Sequence, residues 1–139
     1  MKQVITGLLL VSLAAGSQAQ HSAKEKAVMA YYSGFEQKDW NAVADQLARG
    51  FTFTSPNNDD HIPLDKFKEK CWGTSQFFKK VDYINMVEKG NTLMLLVEIH
   101  TVDGKTVRNV DVYTFSPSGK IKSIEVFFGA GSKYPGNKG

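Results

Sequence analysis

The chain lacks most of the features that disclose a protein's chemistry. It has a single cysteine, so no disulfide framework can hold it together. Its three histidines and one cysteine form no HxxxH, HExxH or CxxC spacing, which argues against a metal centre. Basic residues exceed acidic ones only by 17 to 14, and neither sign is clustered. A dedicated nucleic-acid binder would show a basic stripe, so that class is excluded. After residue 19 no apolar run approaches the roughly 20 residues that a membrane-spanning helix needs. What the chain does have is a 42% hydrophobic share in 139 residues. That is too apolar for disorder and too short for more than one ordinary domain.

The first 19 residues, MKQVITGLLLVSLAAGSQA, read as a secretory signal peptide. Lys2 gives the positive n-region, Val4 to Gly16 is apolar, and Ser17 and Ala19 are small residues ahead of a cleavage site. Export to the periplasm or outside is the expectation. The tail at 130–139, with its Gly, Lys and Pro, reads as frayed.

Between them the periodicity predicts an α+β order. Residues 22–37 read as a helix with Ser22 and Glu25 in a capping box and Val28, Tyr31, Tyr32 and Phe35 on one face. Asp39 can cap a second helix over 40–48, ended by Arg49-Gly50. FTFTS at 51–55 is a short strand and 56–60 a polar loop. A third helix is expected over 62–72, with Cys71 on its apolar face as a buried, inert thiol. Four antiparallel strands follow over 80–88, 92–101, 106–115 and 120–128, with helices gathered on one face of a curved sheet.

Asp103-Gly104 between two alternating runs is a hairpin signal. A two-residue turn there pairs Leu96 with Asp111, Glu98 with Asn109 and His100 with Val107. One face then carries Met94, Leu96, Glu98, His100, Val107, Asn109, Asp111 and Tyr113. The other carries Leu93, Leu95, Val97, Ile99, Arg108, Val110 and Val112. Periodicity does not say which face is inside.

The element order, the run from Tyr31 to Asp39-Trp40, the FTFTSP strand end and the closing VDVYTFSPSGKIKSIEVFFG resemble the nuclear transport factor 2-like superfamily. The likeness spans residues 22–128 and is nearest to the SnoaL-like branch. It implies a cone: a bent antiparallel sheet around a pocket closed by helices. A more distant likeness to ketosteroid isomerases implies that Tyr31 and Asp111 match an oxyanion-binding pair, with the Asp kept neutral by apolar surroundings. The isomerase base falls at Ser55, which cannot abstract a proton unaided. The same likeness implies that Met94, Leu96, Glu98, His100, Val107, Asn109, Asp111 and Tyr113 face the cone interior, joined by Ile124, Val126 and Phe128 but not Glu125.

Asp111 and Tyr31 are therefore the first candidates, each of which could also be a core residue. Glu98 and His100 could form an acid–base dyad or sit exposed at the rim. His61, beside Asp60, would border the pocket mouth, and Trp72 could line its wall. Three functions fit. The first is an exported protein binding a small molecule with a carbonyl or hydroxyl group. The second is a cofactor-free acid–base enzyme: an isomerase, dehydratase or hydrolase. The third is an interaction module that dimerises through an outer sheet face containing Leu95, Val97, Val110, Val112 and Phe127.

Overall fold

The computed structural model describes residues 20–129. The leader read at 1–19 and the tail read at 130–139 lie outside the described residues. The elements are α1 (Ala23–Gln37), α2 (Trp40–Ala44), β1 (Leu47–Ser55), β2 (Asp59–Pro63), α3 (Leu64–Cys71), a 3₁₀ helix (Trp72–Phe77), β3 (Phe78–Lys89), β4 (Thr92–Thr101), β5 (Thr106–Phe115) and β6 (Ile121–Phe128). The six strands form one sheet in the order β2-β1-β6-β5-β4-β3. All neighbours are antiparallel except β1 and β6, which run parallel. Breaks of register in β1, β3 and β5 add twist and bend the sheet.

α1 forms as the sequence predicts. Ser22 accepts from the Glu25 amide at 3.1 Å, and the Glu25 carboxylate reaches back to the Ser22 amide at 3.3 Å. Its face of Val28, Tyr31, Tyr32 and Phe35 is buried. Two further bonds tie α1 to β3: the Val81 amide donates to Glu36 at 2.7 Å, and the Lys38 ammonium to the Phe78 carbonyl at 2.6 Å.

α2 stops at Ala44, four residues short of its predicted end. The Gln46 carbonyl instead accepts from the Ile121 amide, which draws Leu47 into the sheet beside β6. Arg49-Gly50 consequently lies within β1. Gly50, at φ +75°, sits in the register break between Leu47 and Thr52. The polar loop expected over 56–60 is shorter than predicted, because β2 starts at Asp59 and pairs it with Ser55.

The largest correction is one of register. The β4–β5 loop has three residues, not two. Thr101 and Lys105 close it, with the Thr101 amide donating to the Lys105 carbonyl at 2.9 Å, and Gly104 takes the left-handed position at φ +82°. Leu96 pairs with Val110, Glu98 with Arg108 and His100 with Thr106. A slip of one residue turns every β4 side chain over. Leu93, Leu95, Val97 and Ile99 face the core, each with no exposure. Met94, Leu96, Glu98 and His100 face outward. On β5 the predicted inward set holds: Val107, Asn109, Asp111 and Tyr113 are all buried.

Candidate functional site

The helices do not fill the concave side of the sheet. A cavity of about 450 Å³ remains between α1, α3, the 3₁₀ helix and strands β1, β5 and β6. Its apolar wall includes Tyr31, Phe35, Phe53, Phe67, Phe78, Val126 and Phe128. Two polar groups interrupt that wall, one around Asp111 and one around Asp59.

Asp111 is fully enclosed, at 1% exposure. Its Oδ2 accepts from the Tyr32 hydroxyl and, at 2.9 Å, from the Tyr113 hydroxyl. Its Oδ1 accepts from the Asn109 amide at 2.7 Å. Burial pushes the carboxyl above the usual carboxylate range, while these three donors pull the other way. Burial, and then the neighbouring Asp111, push the Tyr113 hydroxyl well above its usual range as well. Asp111 therefore favours the neutral form more than an exposed aspartate does, and its donors leave it firmly oriented.

The second group comes from the β1–β2 turn and α3. The Ser55 hydroxyl donates to Asp59 Oδ2 at 2.8 Å and accepts from the Asn57 amide at 3.2 Å. Lys70 pairs with Asp59 Oδ1. The Asp59 side chain is 3% exposed and that of Lys70 is 41% exposed, so the carboxylate lies inside and the ammonium at the rim. Cys71 lines the cavity beside them, but burial, reinforced by Asp59, pushes its thiol up to about 12. It is no nucleophile at neutral pH.

A model of the SnoaL-like domain matches residues 28–124, from within α1 to within β6. The chain belongs to the SnoaL-like family. No curated protein matches it. Several solved structures share the fold of this SnoaL-like domain. A nuclear transport factor 2-like protein from Cytophaga hutchinsonii is 22% identical, with 81% of this chain and 94% of that one covered and a TM-score of 0.61. A cystatin-like-fold protein from Methylobium petroleophilum is 14% identical, covers 84% and 82%, and has a TM-score of 0.67. TerC, co-crystallised with polyporic acid, is 16% identical, covers 78% and 93%, and has a TM-score of 0.59. At these identities the likeness is one of fold.

The SnoaL-like domain brings together some of the residues expected at its site and separates others. Tyr31, Ser55, Asp111, Val126 and Phe128 line the cavity. Asn109 and Tyr113 lie beneath it as partners of Asp111. On α1 the hydroxyl that donates to Asp111 is that of Tyr32, the residue after the expected one. Tyr31 packs edge-on against Tyr32 and Tyr113.

Met94, Leu96, Glu98 and His100 are not in the cavity, because the three-residue turn puts them on the outer face. Glu98 pairs there with Arg108, and His100 bonds Asp82 at 2.8 Å. They make no dyad with each other. His61 is exposed beside Asp60, on a left-handed residue at φ +52° that turns it away from the interior. Trp72 stacks edge-on with Phe35 and Trp40 behind the wall. Sequence reasoning missed Tyr32, Asp59 and Lys70. The available signal was Asp59 four residues after Ser55, across a turn whose Asn58 takes φ +59°.

Proposed function

We propose that this SnoaL-like domain binds a small, largely apolar molecule bearing a carbonyl or hydroxyl group. The observation that carries this reading is the cavity itself: about 450 Å³ of unfilled space, walled by aromatic rings and polar at two places. Leaving such a space open sacrifices packing that a core of this size would otherwise gain. The ligand's oxygen would meet the Asp111 group and its rings the Phe35, Phe53 and Phe78 wall. TerC, a protein of the same fold, was co-crystallised with polyporic acid, which is compatible with a ligand of that kind. Residues 1–19 have the pattern of an export leader, so the binder would act in the periplasm or outside.

The test is titration with β-tetralone and a hydroxynaphthoquinone, followed by calorimetry or ligand-observed NMR. Saturable binding is expected for the wild type. Val126→Trp puts an indole into the cavity and should abolish binding while the protein stays folded. Absence of saturable binding by either probe, or equal binding by Val126→Trp, would refute the reading.

A second reading, acid–base catalysis, is favoured by one observation: two carboxylates in different surroundings, Asp111 and Asp59, line one cavity.

The outer sheet face supports association with a second copy of the chain. Leu95 and Val97, expected on that face, are inside. Ile84, Val87, Met94, Val110 and Phe127 stand exposed there instead. The Glu98–Arg108 and Lys80–Asp82 pairs border this patch with both signs of charge, so it can complement its own two-fold image. Sedimentation at micromolar concentrations should give a dimer, and Phe127→Asp a monomer with unchanged circular dichroism. A wild-type monomer would remove the interface.

A further inference from the structure

We propose that Asp59 is the proton-accepting catalytic residue of the cavity, with Ser55 and Lys70 as its positioning residues. The inference rests on the acid–base reading above and assigns its missing base.

Three observations place Asp59 for this task. First, both oxygens of its carboxylate are engaged by donors: Ser55 at Oδ2 and Lys70 at Oδ1. A hydroxyl and an ammonium donating to its two oxygens fix the carboxyl's orientation in the cavity wall. Each oxygen still keeps acceptor capacity for a substrate.

Second, Asp59 lines the cavity although its side chain is almost wholly shielded from solvent. A substrate that enters would meet it without a shell of competing water. The rim cation that neutralises it is the more exposed and adjustable member of the pair.

Third, the strand register sets the spacing to Asp111. Thr54 pairs with Glu125 in the parallel β1–β6 ladder, so Ser55 lies beside Val126. Val126 in turn pairs with Asp111 across β5–β6. Ser55, Val126 and Asp111 are all buried, so they point to the same side. Ser55 and Asp111 are thus two strands apart, roughly 10 Å between backbones. A ring seated over Val126 has the Asp111 group on one side and the Ser55–Asp59 group on the other.

The two carboxylates then take opposite parts. Burial holds Asp111 towards its neutral form, whose own O–H can donate to a developing oxyanion while Tyr32, Tyr113 and Asn109 hold the carboxyl in place. Asp59 takes a proton from the carbon next to a carbonyl. The C–H pair becomes a C=C bond, the carbonyl pair moves onto oxygen, and the enolate rests against the Asp111 group. Return of the proton from Asp59 to the same carbon gives exchange, and to the far end of a conjugated system gives isomerisation. No co-reactant is needed.

β-Tetralone in D₂O provides the readout, since its α-protons exchange through such an enolate and are followed by NMR. Wild-type protein should exchange them faster than buffer. Asp59→Asn keeps an acceptor for Ser55 and should slow exchange by about 100-fold or more, with β-tetralone affinity within about threefold of wild type. The double variant Asp59→Asn/Lys70→Met leaves no unpaired charge and should lose exchange equally while staying folded. Ser55→Ala and Lys70→Met alone should lower the exchange rate at saturation more than they change affinity. Exchange by Asp59→Asn at the wild-type rate would overturn the assignment. So would a wild type that binds β-tetralone but exchanges no faster than buffer, an outcome that leaves the binding reading standing. Failure of the wild type to bind at all would instead overturn the binding reading, and this assignment with it.

Discussion

Asp111→Ala should cost about 3–5 kcal/mol of folding stability, because buried donors left without a partner lose about 1–3 kcal/mol each. Three groups depend on this carboxyl: the hydroxyls of Tyr32 and Tyr113 and the amide of Asn109. Among the described residues no buried side-chain nitrogen or oxygen lacks a partner, so the loss has no existing defect to hide in. The effect falls below the full sum because the site borders a cavity that water can enter. Asp111→Asn is the informative contrast. Its carbonyl can still accept from Asn109 and its amide can donate to a tyrosine hydroxyl that turns to accept, so it should cost less than the alanine variant.

The Asp111→Asn variant also exposes the titration. Burial raises the native carboxyl above its unfolded value of about 3.9. The native state therefore holds its proton to higher pH than the unfolded chain does. The group's contribution is complete below about pH 4 and is lost as pH rises through the native value, by up to about 1.4 kcal/mol per pH unit. The substituted amide does not titrate, so the variant should gain on wild type as pH rises from about 4, then reach a plateau. Asp82, Glu88 and Asp103 are held low by their partners and act in the opposite direction, but they are common to both proteins and cancel in the difference. Urea unfolding of both proteins from about pH 4 to about pH 8 measures it. A flat difference would show that Asp111 is not raised.

How much of this was legible in the residues divides along physical lines. α1 was readable to its cap, because a capping box and a 3.6-residue period are local signals. Alternation by two grouped the β5 residues onto one face, because it is local as well, and the family resemblance said that this face is the inner one. The register between β4 and β5 was not readable, because it depends on one residue of turn length. Asp103-Gly104 suits both a two-residue turn and the last part of a three-residue loop. Thr101 decides it: its hydroxyl accepts from the Lys105 amide at 3.0 Å, and that bond closes the wider loop. A second cue existed in the cross-strand pairing of Glu98 with Arg108, opposite charges that favour facing each other. That slip moved Glu98 and His100 out of the site. Asp59 and Lys70 were hidden for another reason. They meet across a tight turn and a helix, 11 residues apart, and no periodic pattern links them.

Phe67→Ala should be as damaging as the loss of Asp111, at about 3–5 kcal/mol for a buried phenylalanine. α3 is eight residues long, too short to be helical without tertiary contacts. Phe67 is its one buried residue, and its ring packs against Phe53 at 4.7 Å, Phe51 at 5.4 Å and Trp40 at 6.2 Å between centroids. Truncation removes the anchor that seats the helix on β1. Lys70 and Cys71 lie three and four residues further on, on the same side of the helix. Releasing Phe67 should therefore also draw Lys70 away from Asp59, so stability and any activity at the Ser55–Asp59 group should fall together. Phe67→Leu fills part of the space and should retain most of both. Chemical unfolding gives the first quantity and α-proton exchange the second. A loss below about 1 kcal/mol for the alanine variant would mean that α3 is held by something other than this ring, since a buried phenylalanine does not come out of a packed interface so cheaply.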